Sequence, residues 1–570
     1  MDPRALTRTV LVAAAALAAS CDRPAASGRA GDADVLLRGG WIVDGAGNPR
    51  YRGDLLIQGD RIAAVGRLEG ATARETLDVS GKIVAPGFID MLGQSEQNVL
   101  IDSRVLSKIT QGVTTEVTGE GGSIFPLTDS LVAQDSDLMK KYHFAEDWRD
   151  LDGYFRHLEK TGSTLNIATF VGATQLRTVV VGTGDRQATP AELAHMAALV
   201  DTAMQQGALG VSTALEYAPA FYASTDELIA LAREAQRYGG IYATHMRNEG
   251  GQEDQALDET FRIGKETGIP LEIWHLKVSG RLSWGRMPKV LAKIDSARKT
   301  GLDVTANLYP YIAAATSLDA SIPAWAHSGG TDSMLLRLKD PATRARIRAE
   351  LLAPPQISDR FMRAAGGPSG VIVLPFADSL SRFNGKRLSE IAALEHQDPI
   401  ETLFDLVTRE RARTGAIYFV MSEPDVDSAL VTWWTSFDTD YGGVAPDGPF
   451  GHDGVHPRTY GTFARILGHY VREQHLLTLE SAVRKMTSLP AQRVGLVDRG
   501  LLRPGLFADV TVFDPDSIAD RATFEAPHQP SVGVTYVFVN GKKVLDHGQV
   551  TAARPGRGLR GPGYRAQSGR

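Results

Sequence analysis

The sequence between residues 83 and 440 alternates short apolar runs with helical stretches, and this alternation restricts the fold more than any other feature of the chain. Such alternation is typical of parallel strands joined by helices. The eight apolar runs span residues 83–90, 114–120, 165–172, 208–214, 240–247, 270–277, 303–311 and 433–440. Eight strand–helix units predict an α/β fold of the (β/α)8 or TIM-barrel type, which we place at residues 86–497.

The barrel pattern is interrupted once, before its last strand. Residues 312–432 are too long for one connection between a strand and the next helix, and they contain helical patterns. We therefore expect a helical insertion between barrel strands 7 and 8, at residues 320–430. An insertion at this place is expected to cover the open end of the barrel and to influence specificity.

Both ends of the chain carry period-2 alternation punctuated by glycines, which indicates antiparallel β-structure. The alternation covers residues 33–85 and 498–555, and Asn540-Gly541 has the composition of a two-residue hairpin turn. We expect the two segments to meet in one small β-sandwich domain. The Arg/Gly-rich segment 556–570 is interpreted as a surface-packed or loose tail, with a nucleic-acid-binding arm as the alternative.

The composition is typical of a folded soluble protein, and it gives no indication of a polyanion such as nucleic acid as the main partner. The chain has 570 residues, of which 43% are hydrophobic, and its formal net charge is −6. This much apolar material excludes disorder as the main state, and the mildly acidic balance argues against nucleic acid as the main partner.

The only cysteine, Cys21, follows a short apolar run at the start of the chain. A single cysteine excludes an intrachain disulfide and a Cys-rich zinc site. Residues 1–21 have the arginines, the apolar run and the small residues of a bacterial lipoprotein signal, with residues 22–32 as a flexible tether. We expect an exported protein, periplasmic or anchored to the membrane only through a lipid on Cys21. The alternative is an ordinary cleaved signal in which the cysteine is incidental.

Chemically reactive side chains stand where the predicted strands end, which is the catalytic face of a barrel. His245 and His275 close two consecutive strand runs, and Glu120 closes the second run between glycines. Two histidines and a carboxylate are sufficient to bind a catalytic Zn²⁺ and leave one position open for water. Such water has a pKa of about 7. Taken singly, a histidine near a strand end is more often a hydrogen-bonded core residue, and Glu120 is equally consistent with a turn acid that faces water.

Asp440 closes the last strand run, where a carboxylate can accept and return the proton of an activated water. Asp438 lies two residues earlier, so in a strand its side chain would point to the same side as that of Asp440. It is the nearest alternative candidate for that role. Asp453, within the loop that follows, is a second rival.

With these residues in place, the chain resembles the amidohydrolase superfamily, and within it the D-aminoacylase or N-acyl-D-amino-acid deacylase group. The resemblance covers roughly residues 33–560 and depends on the order and spacing of several segments. These are APGFID (85–90), GVTTEVTG (112–119), ATHMR (243–247), HLK (275–277), YPY (309–311) and HPRTYGTF (456–463).

The first and second strands depart from the family pattern. The superfamily's first strand normally ends Asp-x-His-x-His, whereas here Leu92 and Gln94 replace both histidines. The cysteine of D-aminoacylases falls at Gly121, and Glu120 precedes it. The resemblance therefore implies a mononuclear centre, with one Zn²⁺ per chain held by Glu120, His245 and His275, and Gln94 as a weak ligand or a substrate contact.

The resemblance also implies roles for the neighbouring residues. Asp440 corresponds to the acid that activates water and then protonates the leaving amine, and Lys277 and Tyr309 correspond to residues that hold the α-carboxylate of an N-acyl amino acid. Arg247 and Arg458 are candidates for anion binding or, alternatively, for structural ion pairs at the barrel rim.

One substrate contact of the family is altered as well. A serine expected six residues after Tyr309 is Ala315 here, and Thr316 or Ser317 is a possible substitute.

The function implied is zinc-dependent hydrolysis of a linear amide that is not a peptide bond, most simply deacylation of a small-molecule N-acyl D-amino acid. Two alternatives stay open. One is an enzyme of the same fold that acts on dipeptides, cyclic amides or lactones, and the other is a lipoprotein that binds a ligand without catalysis. The sequence does not indicate the oligomeric state.

Overall fold

The computed structural model of the chain describes residues 33–354 and 360–566. The predicted signal segment with Cys21 and the predicted tether lie outside the described residues. Within the described part of the chain, no helix combines the length and the apolar character needed to cross a bilayer.

The structure combines strands and helices along the whole of its described length. In chain order the strands are β1 (Val35–Ile42), β2 (Tyr51–Gln58), β3 (Arg61–Gly66), β4 (Glu75–Asp78), β5 (Ile83–Pro86), β6 (Phe88–Asp90), β7 (Val113–Thr118), β8 (Asn166–Thr169), β9 (Val171–Gly172), β10 (Gly210–Ala214), β11 (Ile241–His245), β12 (Leu271–Ile273), β13 (Val304–Leu308), β14 (Ala314–Ser317), β15 (Val371–Leu374), β16 (Gly415–Tyr418), β17 (Thr435–Phe437), β18 (Val510–Phe513), β19 (Val534–Val539), β20 (Lys542–Asp546) and β21 (Gln549–Val550). Each of the eight apolar runs singled out in the sequence overlaps at least one of these strands.

The α-helices fall mainly between the strands of the central region. In chain order they are α1 (Asn98–Ile101), α2 (Leu106–Ile109), α3 (Asp129–Gln134), α4 (Ser136–Tyr142), α5 (Leu151–Thr161), α6 (Ala173–Val180), α7 (Pro190–Gln205), α8 (Thr225–Gln236), α9 (Glu253–Thr267), α10 (Met287–Lys299), α11 (Gly330–Lys339), α12 (Pro341–Leu352), α13 (Phe361–Ala364), α14 (Leu388–Leu394), α15 (Pro399–Arg409), α16 (Glu423–Val431), α17 (Arg458–Arg465), α18 (Leu479–Met486) and α19 (Ser488–Arg493). A π-helix, Ile466–Glu473, continues α17.

The strands of the central region are parallel and fall into two sheets. One sheet has the order β6-β7-β8, and the other has the order β9-β10-β11-β12-β13-β17. The amide of Leu209 donates to Thr169 O at one seam between the sheets, and the amide of Met91 donates to Phe437 O at the other. The strands therefore follow one another in a ring, and their carboxyl ends lie at the same edge.

Local sequence signals explain where the helices of this region begin. The side chain of Thr189 caps α7 by accepting from the amide of Glu192, and the side chain of Glu192 accepts in turn from the amide of Thr189. Pro190 occupies the first turn. Val200 and Met204 then lie on the buried face of the helix. This helix packs between α6 and α8.

The long segment between β13 and β17 contains helices, as predicted, but also a sheet that the sequence interpretation missed. The strands β14, β16 and β15 pair antiparallel in that order. Their short apolar runs do not distinguish a strand from a buried helix by periodicity alone. The segment has a core of its own, which includes Leu318, Ile347, Val373, Leu403 and Phe404.

The two ends of the chain meet in one nine-stranded sheet. Its order is β21-β20-β19-β18-β5-β1-β2-β3, with β4 paired to β1. The expected union of the chain ends is therefore present, whereas the arrangement of this sheet as a sandwich stays a prediction.

The described part of the Arg/Gly-rich tail packs on the surface of the parallel sheets. The amide of Leu559 donates to Ile167 O at 2.7 Å, and the amide of Gly561 donates to Gly207 O at 2.8 Å. Arg560 also forms an ion pair with Asp152 at 2.6 Å. Of the two forms expected for this tail, the surface-packed one describes residues 556–566.

Candidate metal centre

Seven of the nine site residues predicted from the sequence line one cavity at the carboxyl ends of the parallel strands. The cavity encloses about 280 Å³. The seven residues are Gln94, Glu120, His245, His275, Lys277, Tyr309 and Asp440. Arg247 and Arg458 are absent from its lining.

Glu120, His245 and His275 converge on one point of this cavity. Oε1 of Glu120 lies 2.9 Å from Nδ1 of His245 and 3.0 Å from Nε2 of His275. The three ligand atoms all lie within 4.8 Å of one another. Two imidazole nitrogens and a carboxylate oxygen make a donor set that suits a divalent zinc ion.

The strand ends bring these three side chains together. His245 is the last residue of β11, while Glu120 and His275 each follow two residues after the ends of β7 and β12. The backbone of His275 has a φ of 35°, in the left-handed region that non-glycine residues seldom adopt. Local strain of this kind is commonly retained where a side chain must be aimed at a functional site.

Further carboxylates make the surroundings of His245 strongly negative. Its Nε2 lies 3.4 Å from Glu216 and 3.9 Å from Glu249. Burial would lower the pKa of His245, but the charges of Glu249, Glu216 and Glu120 raise it to about 10. The site therefore attracts positive charge, and a bound metal ion would take the place of the protons.

Glu249 is a site residue that the sequence analysis did not identify. Oε1 of Glu249 lies 3.0 Å from Nδ1 of His275, on the opposite side of the ring from Glu120. Lys277 donates to both oxygens of Glu249 at 2.8 Å. A carboxylate behind a metal-binding histidine fixes the orientation of the ring and increases its basicity. The position of Glu249 four residues after His245 was the only available signal.

Asp440 faces the convergence point from the last strand of the ring. The side-chain amide of Gln94 donates to Glu120 Oε2 at 3.1 Å and to Asp440 Oδ1 at 2.9 Å, so that it links the two carboxylates. The backbone of Asp440 is left-handed, with a φ of 44°. Burial raises the pKa of Asp440, and the charge of Arg458 opposes that increase.

The two other candidates for proton transfer, Asp438 and Asp453, have different surroundings from Asp440. Asp438 is buried and does not line the cavity, and burial together with the charges of Asp440 and Asp90 raises its pKa well above the usual range. Asp453 accepts hydrogen bonds from Lys141 at 3.0 Å and from the Tyr142 hydroxyl at 2.5 Å. Of the three aspartates, Asp440 alone is placed to act on a molecule in the cavity.

The structure places Arg247 outside the site, contrary to its predicted contact with substrate. Its guanidinium binds both carboxylate oxygens of Glu259 at 2.8 Å and also donates to two backbone carbonyls, those of Phe221 and Ala223. All three guanidinium nitrogens of Arg247 therefore donate hydrogen bonds to groups of the protein itself. The structural ion pair, which was the alternative, describes Arg247.

Arg458 lies directly behind Asp440. One of its terminal nitrogens is 2.9 Å from Asp440 Oδ2, and the guanidinium carbon is 4.4 Å from the centre of the Tyr309 ring. Arg458 is 1% exposed. Its Nε and the other terminal nitrogen have no hydrogen-bond partner among the described residues, and neither does the Tyr309 hydroxyl.

The two positions at which the superfamily normally has histidines, Leu92 and Gln94, have different surroundings in the structure. Leu92 is fully buried in an apolar cluster with Met91 and Val117, so it offers nothing to an ion. Gln94 lies in the cavity and bridges the two carboxylates. Ala315, Thr316 and Ser317 all line the opposite wall, together with Tyr217 and Phe361, which the sequence analysis did not identify.

Comparisons with known proteins agree over nearly the whole chain. The profile of the amidohydrolase family matches residues 75–545. The D-aminoacylase of Alcaligenes xylosoxydans xylosoxydans is 38% identical over 530 residues, which are 92% of this chain and 97% of that protein.

Two solved structures are similar to this one at comparable identity. A D-aminoacylase studied for its binuclear metal centre has a TM-score of 0.77 at 37% identity and covers 93% of this chain and 100% of its own. The N-acyl-D-glutamate deacylase of Bordetella bronchiseptica, complexed with zinc and a phosphonate inhibitor, has a TM-score of 0.78 at 34% identity, with the same coverage.

Proposed function

Because this chain belongs to the amidohydrolase family and is a metal-dependent enzyme for amide bonds other than peptide bonds, we propose that it deacylates N-acyl-D-amino acids. The observation that carries this proposal is the convergence of Glu120, His245 and His275 opposite Asp440 in one cavity. The activities of the D-aminoacylase and the N-acyl-D-glutamate deacylase support the choice of substrate class.

We further propose that the centre holds one Zn²⁺ per chain, bound by Glu120, His245 and His275. The burial of Leu92 in an apolar cluster supports a single ion, because that strand end supplies no imidazole. A zinc ion at such a site acts as a Lewis acid toward water and the acyl carbonyl. Glu249 and Glu216 then hold the outer nitrogens of the two histidines.

The proton movements are assigned to Asp440. A carboxylate at this position accepts the proton of the attacking water and returns it to the nitrogen of the leaving amine. Gln94 and Arg458 hold its two oxygens, at 2.9 Å each, and so fix the direction of the carboxylate. General acid–base catalysis by a positioned group contributes a factor of about 10² to 10⁴.

The carboxylate of the substrate is assigned to the side of Lys277 and Tyr309. Both residues line the cavity, and Lys277 is the only lysine or arginine among the residues of that lining. Thr316 or Ser317 supplies a hydroxyl in place of the missing serine. Because Lys277 already pairs with Glu249, its ammonium is held in place before substrate arrives.

The architecture that supports this assignment is a (β/α)8 barrel with a small β-domain. The ring order of β6, β7, β8 with β9, β10, β11, β12, β13 and β17 supports the barrel. The antiparallel strand β14 contributes residues to the cavity wall, which supports the view that the segment between β13 and β17 covers the open end. The expected export, with a lipid on Cys21, remains a proposal from sequence.

The test is a hydrolysis assay of the purified, zinc-loaded protein. N-acetyl-D-amino acids are expected to be cleaved, with the N-acetyl-L enantiomers cleaved far more slowly, and elemental analysis is expected to find one zinc per chain. Faster cleavage of dipeptides, dihydropyrimidine-type cyclic amides or lactones would replace the proposed substrate. Ligand binding without turnover of any of these would refute the enzyme assignment, and two tightly bound metal ions would refute the single-ion centre.

A further inference from the structure

A second cavity adjoins the metal centre. It encloses about 250 Å³ and shares the side chain of Gln94 with the cavity of the metal centre. Its remaining walls come from the segments that follow β6, β7 and β9. Its polar lining includes Glu96, Gln97, Asp135 and Glu146. We call this space the acid cavity.

The three carboxylates of the acid cavity form no close ion pair with another described residue. Among the described residues, no Lys, Arg or His nitrogen lies within 4.0 Å of a carboxylate oxygen of Glu96, Asp135 or Glu146, whereas the neighbouring Asp129 pairs with Arg149 at 2.7 Å. Lys108, Arg413 and Arg149 act on the three carboxylates only from a longer distance. Burial raises the pKa of Glu96 to about 7, and it also raises the pKa values of Asp135 and Glu146.

Glu146 shows most directly that a partner is missing. Its side chain lines the acid cavity and is only 5% exposed. Oε1 accepts a hydrogen bond from Gln97 Nε2 at 2.5 Å, whereas Oε2 has no hydrogen-bond partner among the described residues. A buried carboxylate oxygen without a partner is costly, and a positively charged donor is the group that best offsets the cost.

The position of the acid cavity fixes which part of a substrate reaches it. Counting β8 and β9, which belong to one apolar run, as a single position of the ring, β7 lies opposite β12, four positions away in either direction. Lys277 follows β12, whereas the acid cavity is built from the segments around β7. A substrate whose carboxylate lies at Lys277 therefore directs its acyl group past Gln94 toward the acid cavity.

We propose that the acid cavity binds the positively charged end of the substrate's acyl group, an ω-ammonium or guanidinium group. The proposal rests on the deacylase function proposed above. Trp148 also lines this cavity, and an indole face attracts organic cations. The volume accommodates a short alkyl chain with its charged end, which is more than a single metal ion requires.

The test compares two substrates of equal length. N-(6-aminohexanoyl) and N-heptanoyl derivatives of one D-amino acid differ only in an ammonium group that replaces a methyl group. We expect kcat/KM to favour the aminohexanoyl derivative by about 10-fold or more, since a charge-assisted hydrogen bond contributes about that much. Glu146→Gln is expected to remove most of this preference, because the amide keeps the contact with Gln97 and loses the charge.

Two controls separate the charge effect from damage to the fold. Glu159→Gln makes the same change on an exposed face of α5 and is expected to keep the preference. For Glu146→Gln the ratio of kcat/KM between the aminohexanoyl and heptanoyl derivatives is the quantity compared, because general damage to the fold lowers both values equally and leaves their ratio unchanged.

The outcomes are distinct from those of the function assay. Equal or better cleavage of the heptanoyl derivative by the wild-type protein would overturn the inference while the deacylase function stands. A preference for N-acetyl-D-lysine over N-acetyl-D-norleucine that Glu146→Gln removes would also overturn it, because the cation would then lie on the amino-acid arm. Failure to cleave any N-acyl-D-amino acid would instead refute the proposed function.

Discussion

The ammonium group of Lys277 lies 2.8 Å from both carboxylate oxygens of Glu249. The same ammonium lies 2.7 Å from Nδ1 of His275, whose Nε2 faces Glu120. Lys277, the residue assigned to the substrate carboxylate, is thereby connected to a residue assigned to the metal. Glu249, which belongs to neither assigned set, therefore contacts both the residue assigned to the substrate and a residue assigned to the metal.

Glu249→Gln is expected to weaken zinc binding. Loss of the charge behind His275 weakens the acceptor that orients its ring and lowers the basicity of that ring, and such changes typically cost about 10- to 100-fold in metal affinity. Competition against a chromophoric chelator measures the affinity. The matched control is Glu259→Gln, which removes the same charge from the ion pair with Arg247 and should leave zinc affinity unchanged. Equal affinities of the two variants would contradict the role assigned to Glu249.

Asp440→Asn is expected to reduce kcat while zinc stays bound. The amide retains the shape of the side chain, but it cannot accept the proton, so a loss of about 10² to 10⁴ in kcat is expected. Steady-state kinetics and zinc content are measured on the same preparation. Asp453→Asn, which alters a carboxylate outside the cavity, should retain most of the activity. Full activity of Asp440→Asn would show that another group moves the proton.

The site residues at the strand ends were predictable because the apolar pattern of a strand and the residue that follows it can both be read from a short stretch of sequence. Short apolar runs located the strands, and the polar residue that closes each run located Glu120, His245, His275 and Asp440. The parallel sheet then brings these ends to one edge whatever the helices between them contain. The presence of Leu92 where the superfamily normally has a histidine was also evident from the sequence.

Residues on loops were not predictable in the same way. Glu249 and Glu216 belong to connections after strands, and apart from the spacing of four residues between His245 and Glu249 their local sequence resembles that of surface acids. Arg247 was misplaced for a related reason, since the partner that binds it, Glu259, lies on α9 and no periodicity indicates that contact. The strand β14 was missed because its residues, AATS, carry no clear alternation.

Arg458→Met is expected to shift the acidic limb of the pH profile of kcat/KM to higher pH. The charge of Arg458 lowers the pKa of Asp440 against the effect of burial, so its removal raises that pKa. Asp440 accepts a proton only when ionised, and activity is therefore lost at a higher pH as the solution is acidified. The Arg247→Met variant should keep the wild-type profile. An unchanged acidic limb in Arg458→Met would show that the ionisation of Asp440 does not determine that limb.

Lys277→Met is expected to raise KM selectively for substrates that carry an α-carboxylate. A charge-assisted hydrogen bond contributes a factor of about 10 to 100 to affinity, and only a substrate with the carboxylate loses it. The matched substrate is the N-acyl amine that has a hydrogen atom in place of the carboxylate, for which wild type and variant should differ little. Zinc content is measured in parallel, because Lys277 also contacts His275 and Glu249. If both substrates lost activity equally at full zinc content, Lys277 would act on the metal ligands and the carboxylate would bind elsewhere.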